Sequence, residues 1–122
     1  MSATDPMTTS VGYHEGIAVL AVDGDVDLVT APTLEEVIAT VVADRPTALV
    51  IDLSAVQFLA SAGLKLLAAT REKIRGSSRF AVVAHGPATR RPIHLTGLDE
   101  MFAVYSTVDD ALTAIQDSEF DH

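Results

Sequence analysis

The sequence predicts an α/β fold: a single domain with a mixed, mostly parallel β-sheet of about 4–5 strands and about four helices. Three observations carry this. Compact apolar runs recur at residues 17–22, 48–53 and 80–84, each bounded by turn-forming or polar residues. Between them lie longer segments whose apolar positions repeat at helical spacing. Strands alternating with helices of that length imply crossover connections, which set strands side by side in parallel. No internal repeat, low-complexity tract or linker divides the 122 residues.

The elements follow in order. Residues 1–9 are small and polar and read as a flexible tail. A segment near Val11 to His14 is expected to pair with the strand at 17–22 across a Glu15-Gly16 turn. Residues 24–30 read as a loop. Thr30 is the expected cap of the next helix, with Ala31-Pro32 as its first positions. Leu34, Val37, Ile38, Val41 and Val42 give that helix an apolar face to about Ala43, and Asp44-Arg45-Pro46 ends it.

The run at 48–53 is apolar on both faces except near its end, as in a central strand covered by helices. A polar turn is expected from Ser54, and a long helix from Ser61 with Leu64, Leu67, Ala68 and Ile74 inward, closed by Gly76. A third strand spans 80–84. Residues 87–97 hold a short helix bearing Arg90 and Arg91. A short strand at 101–105 and a helix at 108–115, capped by Thr107, complete a domain of residues 10–117, with 118–122 as a C-terminal tail.

Composition limits the chemistry. Apolar residues make up 48% and charged residues 20%, the balance of a folded soluble domain. Net charge is −9, from 17 acidic and 8 basic residues, which disfavours phosphate backbones and anionic membrane surfaces. No apolar stretch nears the ~20 residues of a membrane span, and the N-terminus lacks the basic start of a signal peptide. A cytoplasmic location is expected. The absence of cysteine removes disulfides, thiolate metal sites and cysteine nucleophiles. Neither nucleotide-binding glycine loops nor paired-histidine metal motifs occur, so no cofactor, metal site or catalytic residue is assigned.

Loops at the carboxyl ends of parallel strands are where function gathers in such sheets. Two loops belong there: residues 24–30, with Asp25, Asp27 and Thr30, and residues 54–61. Ser61 at the expected helix mouth has two readings. It is an N-cap hydroxyl, or it is an exposed acceptor for phosphate, whose charge of roughly −2 a helix N-terminus tolerates. Ala60, Ala62 and Gly63 leave the hydroxyl uncrowded. A hydrolase nucleophile fits less well. Leu59-Ala60-Ser61-Ala62-Gly63 lacks the first glycine of the nucleophile elbow, and His14, His85, His94 and His122 sit in no recognisable motif.

Ile51-Asp52-Leu53-Ser54 followed by Phe58-Leu59-Ala60-Ser61-Ala62-Gly63-Leu64 resembles the signature of the STAS domain family, in particular its anti-sigma factor antagonists. Gly24-Asp25-Val26-Asp27 with Thr30-Ala31, and Pro87 to Arg91 with Gly97-Leu98, resemble two further blocks of that family in the same order. The likeness spans about residues 10–117 and looks strongest to actinobacterial, especially mycobacterial, members. It implies a non-enzymatic regulator that binds an anti-sigma factor, usually a serine kinase, and so frees a sigma factor. Phosphorylation of the serine that matches Ser61 ends binding, and a metal-dependent phosphatase restores it. By the same resemblance the partner surface comprises Asp25, Asp27 and Thr30 with Phe58, Leu59, Ala60, Ser61, Ala62 and Gly63. The family commonly has aspartate before the serine and Ser or Thr after it. Here Ala60 and Ala62 stand there, leaving Ser61 as the one acceptor in the turn. A STAS module of a stressosome-like or lipid-transport complex is the alternative.

Overall fold

The computed structural model describes residues 6–120. In chain order these form β1 (Met7–His14), β2 (Ile17–Val26), α1 (Ala31–Ala43), β3 (Ala48–Leu59), α2 (Ser61–Ile74), β4 (Arg79–Val83), α3 (Arg90–Leu95), a 3-10 turn at Leu98–Glu100, β5 (Ala103–Tyr105) and α4 (Val108–Phe120). The five strands lie side by side in sequence order. β1 runs antiparallel to β2, and all later neighbours are parallel. The β1–β2 hairpin turns on Glu15 and Gly16, both at positive φ, a geometry that matches the right-handed twist of the strands it joins. The expected mixed, mostly parallel sheet is the one observed.

Alternation of side chains along β2 and β3 builds two cores. Leu20, Val22, Leu49, Ile51 and Leu53 face α1 and α2, joined there by Leu34, Ile38, Leu67 and Ile74. Val19, Val50, Ala81 and Val83 face α4, against Ala111 and Ile115. The strand run at 48–53 thus reads as continuously apolar because helices cover both of its sides. Each such side chain removed from water contributes on the order of 1.5–3 kcal/mol. Arg90 donates to the Ala84 carbonyl at 3.1 Å and ties α3 to the end of β4.

Both central strands run further than the sequence suggests. β2 continues through Gly24 to Val26. Asp25 N–H donates to the Pro6 carbonyl at 2.9 Å, and a Cβ at Gly24, where φ is +105°, would lie 2.1 Å from that oxygen. β3 continues through the expected polar turn to Leu59. Its register against β2 slips twice, once between the Ala21↔Asp52 and Asp23↔Ala55 pairs and again between Gly24↔Val56 and Asp25↔Phe58. Each slip is a bulge that adds one residue to β3. Asp52 Oδ1 braces the first by accepting from the Ser54 N–H at 3.0 Å and the Ser54 hydroxyl at 2.6 Å. Leu53, Val56 and Leu59 are buried as a result, a spacing of three that belongs to neither a regular strand nor a helix.

The ends differ in the same direction. β1 starts at Met7, whose side chain is buried in the core, so the expected tail over 1–9 gives way to strand there. α4 runs to Phe120, past the expected end at Ile115 and into the expected tail 118–122. Residues 1–5 and 121–122 lie outside the described residues.

Candidate functional site

The ends of β2 and β3 fix the site. Asp25 pairs with Phe58 and Val26 with Leu59, and then the Ala60 N–H donates to the Val26 carbonyl at 2.8 Å. This last bond turns the chain out of the sheet. Ala60, extended at φ −88° and ψ 174°, is the N-cap of α2, and its carbonyl accepts from Gly63 and Leu64. Ser61 therefore stands one residue inside the helix and not at its cap. Its side chain is exposed, and among the described residues its hydroxyl has no hydrogen-bond partner. The cap reading of Ser61 is corrected: alanine occupies that position, and no side chain satisfies the open N–H groups of the first turn.

Gly63 sets how closely α2 approaches the strands. A Cβ there would lie 2.6 Å from Leu59 Cδ1 and 2.7 Å from Val26 Cγ1. Only glycine lets the first turn of α2 rest on these two strand ends, which places Ser61 at the rim.

The neighbouring loop is held by its own polar side chains. Asp27 Oδ1 accepts from the N–H groups of Val29 and Thr30, each at 3.0 Å. The Thr30 hydroxyl donates to the Asp25 carbonyl at 2.8 Å and accepts from the Asp27 N–H at 2.9 Å. The Thr30 N–H, against the opposing effect of burial and with help from the Val29 N–H and the Thr30 hydroxyl, holds the Asp27 carboxyl below its ordinary value of 3.8. Thr30 occupies the N-cap position of α1 as the sequence suggests. Its hydroxyl, however, faces back into the loop and makes no cap bond to the helix.

This network decides which side chains face outward. Thr30, Leu59 and Gly63 are buried, and Asp25, Asp27, Ala60 and Ala62 are half-buried. Leu28 and Val29, pushed out between Asp27 and Thr30, are 80% and 81% exposed, and Phe58 is 54% exposed. The expected residues do come together at one end of the sheet, but in two roles. Phe58, Ser61 and Ala62 present a surface, while Thr30, Leu59 and Gly63 shape it. Leu28 and Val29 were missed by the sequence reading. Their signal was an adjacent apolar pair inside a four-residue turn, Asp27 to Thr30, too short to bury it.

Two shallow apolar grooves flank Ser61. One, of about 280 Å³, runs between α1 and α2 and is lined by Leu28, Pro32, Glu35, Ala62, Lys65 and Leu66, among others. The other, of about 300 Å³, lies on the far side of α2 and is lined by Ser61, Leu64, Lys65, Ala68, Thr96 and Leu98. His14 and His85 are exposed, and His94 Nδ1 lies 2.8 Å from Asp99 Oδ2.

Comparison with known proteins agrees with this geometry. The STAS domain family model matches residues 9–111. The chain is 60% identical over 121 residues to the anti-sigma-F factor antagonist RsfB of Mycobacterium tuberculosis, covering 99% of each. Among solved structures it resembles an anti-sigma factor antagonist from Mycobacterium paratuberculosis, with 62% identity and a TM-score of 0.89 over 95% of this chain and 99% of that one. A STAS-domain protein from Planctomyces limnophilus shares the fold at 24% identity, with a TM-score of 0.67 over 88% and 97%. The alternation of strands and helices, the Ser61 turn and these matches lead to one conclusion: the chain belongs to the STAS domain family.

Proposed function

We propose that this protein is an anti-sigma factor antagonist. It binds an anti-sigma factor and so releases the sigma factor that the latter holds, and phosphorylation of Ser61 switches it off. The observation that carries the reading is the 60% identity, over nearly the full length of both chains, to a protein named for that activity. The geometry around Ser61 supports the switch. An exposed hydroxyl with no hydrogen-bond partner among the described residues is open to a kinase.

The binding face consists of Leu28, Val29 and Phe58 around Ser61 and Ala62. These apolar side chains gain by leaving water when a partner covers them. A phosphate at its centre adds a charge of roughly −2, and the Asp25 and Asp27 carboxylates nearby add to the repulsion of an acidic or apolar partner. The partner is of the serine-kinase type: it transfers the γ-phosphoryl of ATP to Ser61 Oγ, ADP leaves, and the hydroxyl proton passes to the kinase. A phosphatase reverses the modification. The protein itself acts by binding, in the cytoplasm, and not as a catalyst. No helix of the described residues is long and apolar enough to cross a membrane.

The test is competition. A preformed complex of sigma-F and anti-sigma-F factor from Mycobacterium tuberculosis is titrated with this protein. Release of free sigma factor, and loss of that release after incubation with ATP and a serine-kinase anti-sigma factor, is expected. Intact mass should rise by one phosphate in the wild type and not in Ser61→Ala. A protein that leaves the complex undisturbed at every concentration overturns the reading.

A further inference from the structure

Among the described residues, Lys65 is a cation without an ion-pair partner in an acidic protein. Among the described residues the ion pairs are Arg71 and Arg75 with Glu72, and His94 is hydrogen-bonded to Asp99. Lys65 takes part in none, although the chain carries a net charge of −9. It stands four residues after Ser61 on α2, and residues so spaced are neighbours on one helix face, with Cβ atoms about 5–6 Å apart. Helical side chains lean back toward the N-terminus, which aims the long Lys65 stem at the turn holding Ser61. The lining of the far groove confirms the adjacency, since Ser61 and Lys65 share its wall with Leu64, Ala68, Thr96 and Leu98. Among the described residues, Lys65 is the only cation lining either groove beside Ser61, and Glu35 of α1 is the only other charged group there.

We propose that Lys65 is a positioning residue for the phosphorylated state: its ammonium pairs with the phosphate on Ser61 and holds it over the first turn of α2. This inference rests on the reading of Ser61 as the phosphate acceptor. The pair is local, i to i+4, so it asks for no movement of the fold. It fixes the phosphate at the centre of the binding face, where it obstructs the partner, instead of leaving it to swing into solvent. Glu35 lines the other groove and is not among the ion pairs of the described residues, which leaves the ammonium available. Asp27 of the neighbouring loop is occupied by the Val29 and Thr30 N–H groups.

The experiment uses full-length protein with phosphoserine installed at position 61 during translation, so that it does not depend on any kinase. The second ionisation of the phosphate is followed by phosphorus NMR. In the wild type it should fall about 0.3 pH unit below that of Lys65→Met, roughly a twofold change in proton affinity. Lys65→Arg should keep the lower value. Lys73→Met, which removes the same charge two to three turns further along α2, should keep it as well. Equal values in wild type and Lys65→Met overturn the proposal, as does an equal effect of Lys73→Met, which would mark bulk charge and not a pair. Failure of a kinase to modify Ser61 would contradict the proposed function while leaving this measurement intact.

Discussion

Gly63 rests on Val26 so closely that a Cβ at position 63 would stand 2.7 Å from Val26 Cγ1, well inside contact distance. The helix that carries Ser61 therefore hangs on a glycine that touches the end of the neighbouring strand. Replacing it sets two effects against each other. Alanine favours a helix over glycine by at most about 1 kcal/mol, less in the first turn, while forcing a methyl into a filled space costs ~1–3 kcal/mol. With a second clash at 2.6 Å on Leu59, the packing cost wins. Gly63→Ala should lose about 1–2 kcal/mol in urea unfolding and bind an anti-sigma factor more weakly, because the start of α2 is displaced. A variant as stable as wild type contradicts this account of the turn.

Thr30 offers a second test. Its buried hydroxyl satisfies the Asp25 carbonyl and the Asp27 N–H at once. Thr30→Val keeps the shape but leaves both backbone groups without that partner, and should destabilise the protein by about 1–3 kcal/mol. Thr30→Ser, which keeps the oxygen, should lose less. Thermal unfolding of the pair at neutral pH decides it.

The Asp27 network predicts a pH dependence with a definite sign. Folding lowers the carboxyl below its value of 3.8 in the unfolded chain, so the folded protein favours the ionised form. Its contribution to stability is full above about pH 4 and is lost as pH falls through the lower, folded value. The melting temperature of Asp27→Ala should lie below that of wild type at pH 6, and the gap should close as the pH is taken toward 2. A gap that widens on acidification has the wrong sign for this network.

Exposed apolar side chains should matter for binding and not for folding. Leu28→Ser, Val29→Ser and Phe58→Ser each remove a side chain that touches solvent more than the core. Unfolding free energies should stay within about 0.5 kcal/mol of wild type. Affinity for the anti-sigma factor should drop by about 1–2 kcal/mol for the strongest of the three, near tenfold. Calorimetric titration beside an unfolding curve separates the two effects.

Much of this was legible in the sequence, and what was not has a physical cause. Alternating apolar runs announced the parallel sheet because β3 is covered on both faces, and Leu34, Ile38 and Val41 announced α1 because they line one side of it. Thr107 was read correctly as a cap, and its hydroxyl accepts from the Asp110 N–H at 3.0 Å. The stretch from Ser54 to Leu59 was not legible as strand. Two bulges turn its buried positions to a spacing of three, and that pattern imitates a turn with scattered apolar residues.

The motif singled out residues that lie together at one end of the sheet, but which of them face outward was hidden. Asp25, Asp27 and Thr30 read as polar surface because side-chain oxygens ordinarily face water. Backbone N–H and C=O groups left open by the loop claim Asp27 and Thr30 instead. Leu28 and Val29 take the outward positions as a consequence. Lys65 went unremarked in the sequence, although its spacing of four from Ser61 on the helix was there to read. The shared groove wall sets the two side by side.

The central claim is that an exposed Ser61 on an apolar face governs binding to an anti-sigma factor. Its most direct test is the dissociation constant of that complex for wild type, Ser61→Ala and Ser61→Glu, measured by calorimetry with the anti-sigma-F factor of Mycobacterium tuberculosis. The account predicts that Ser61→Ala binds within about threefold of wild type and that Ser61→Glu binds at least ~10-fold more weakly, a loss near 1.4 kcal/mol. Equal affinity for all three proteins would contradict it.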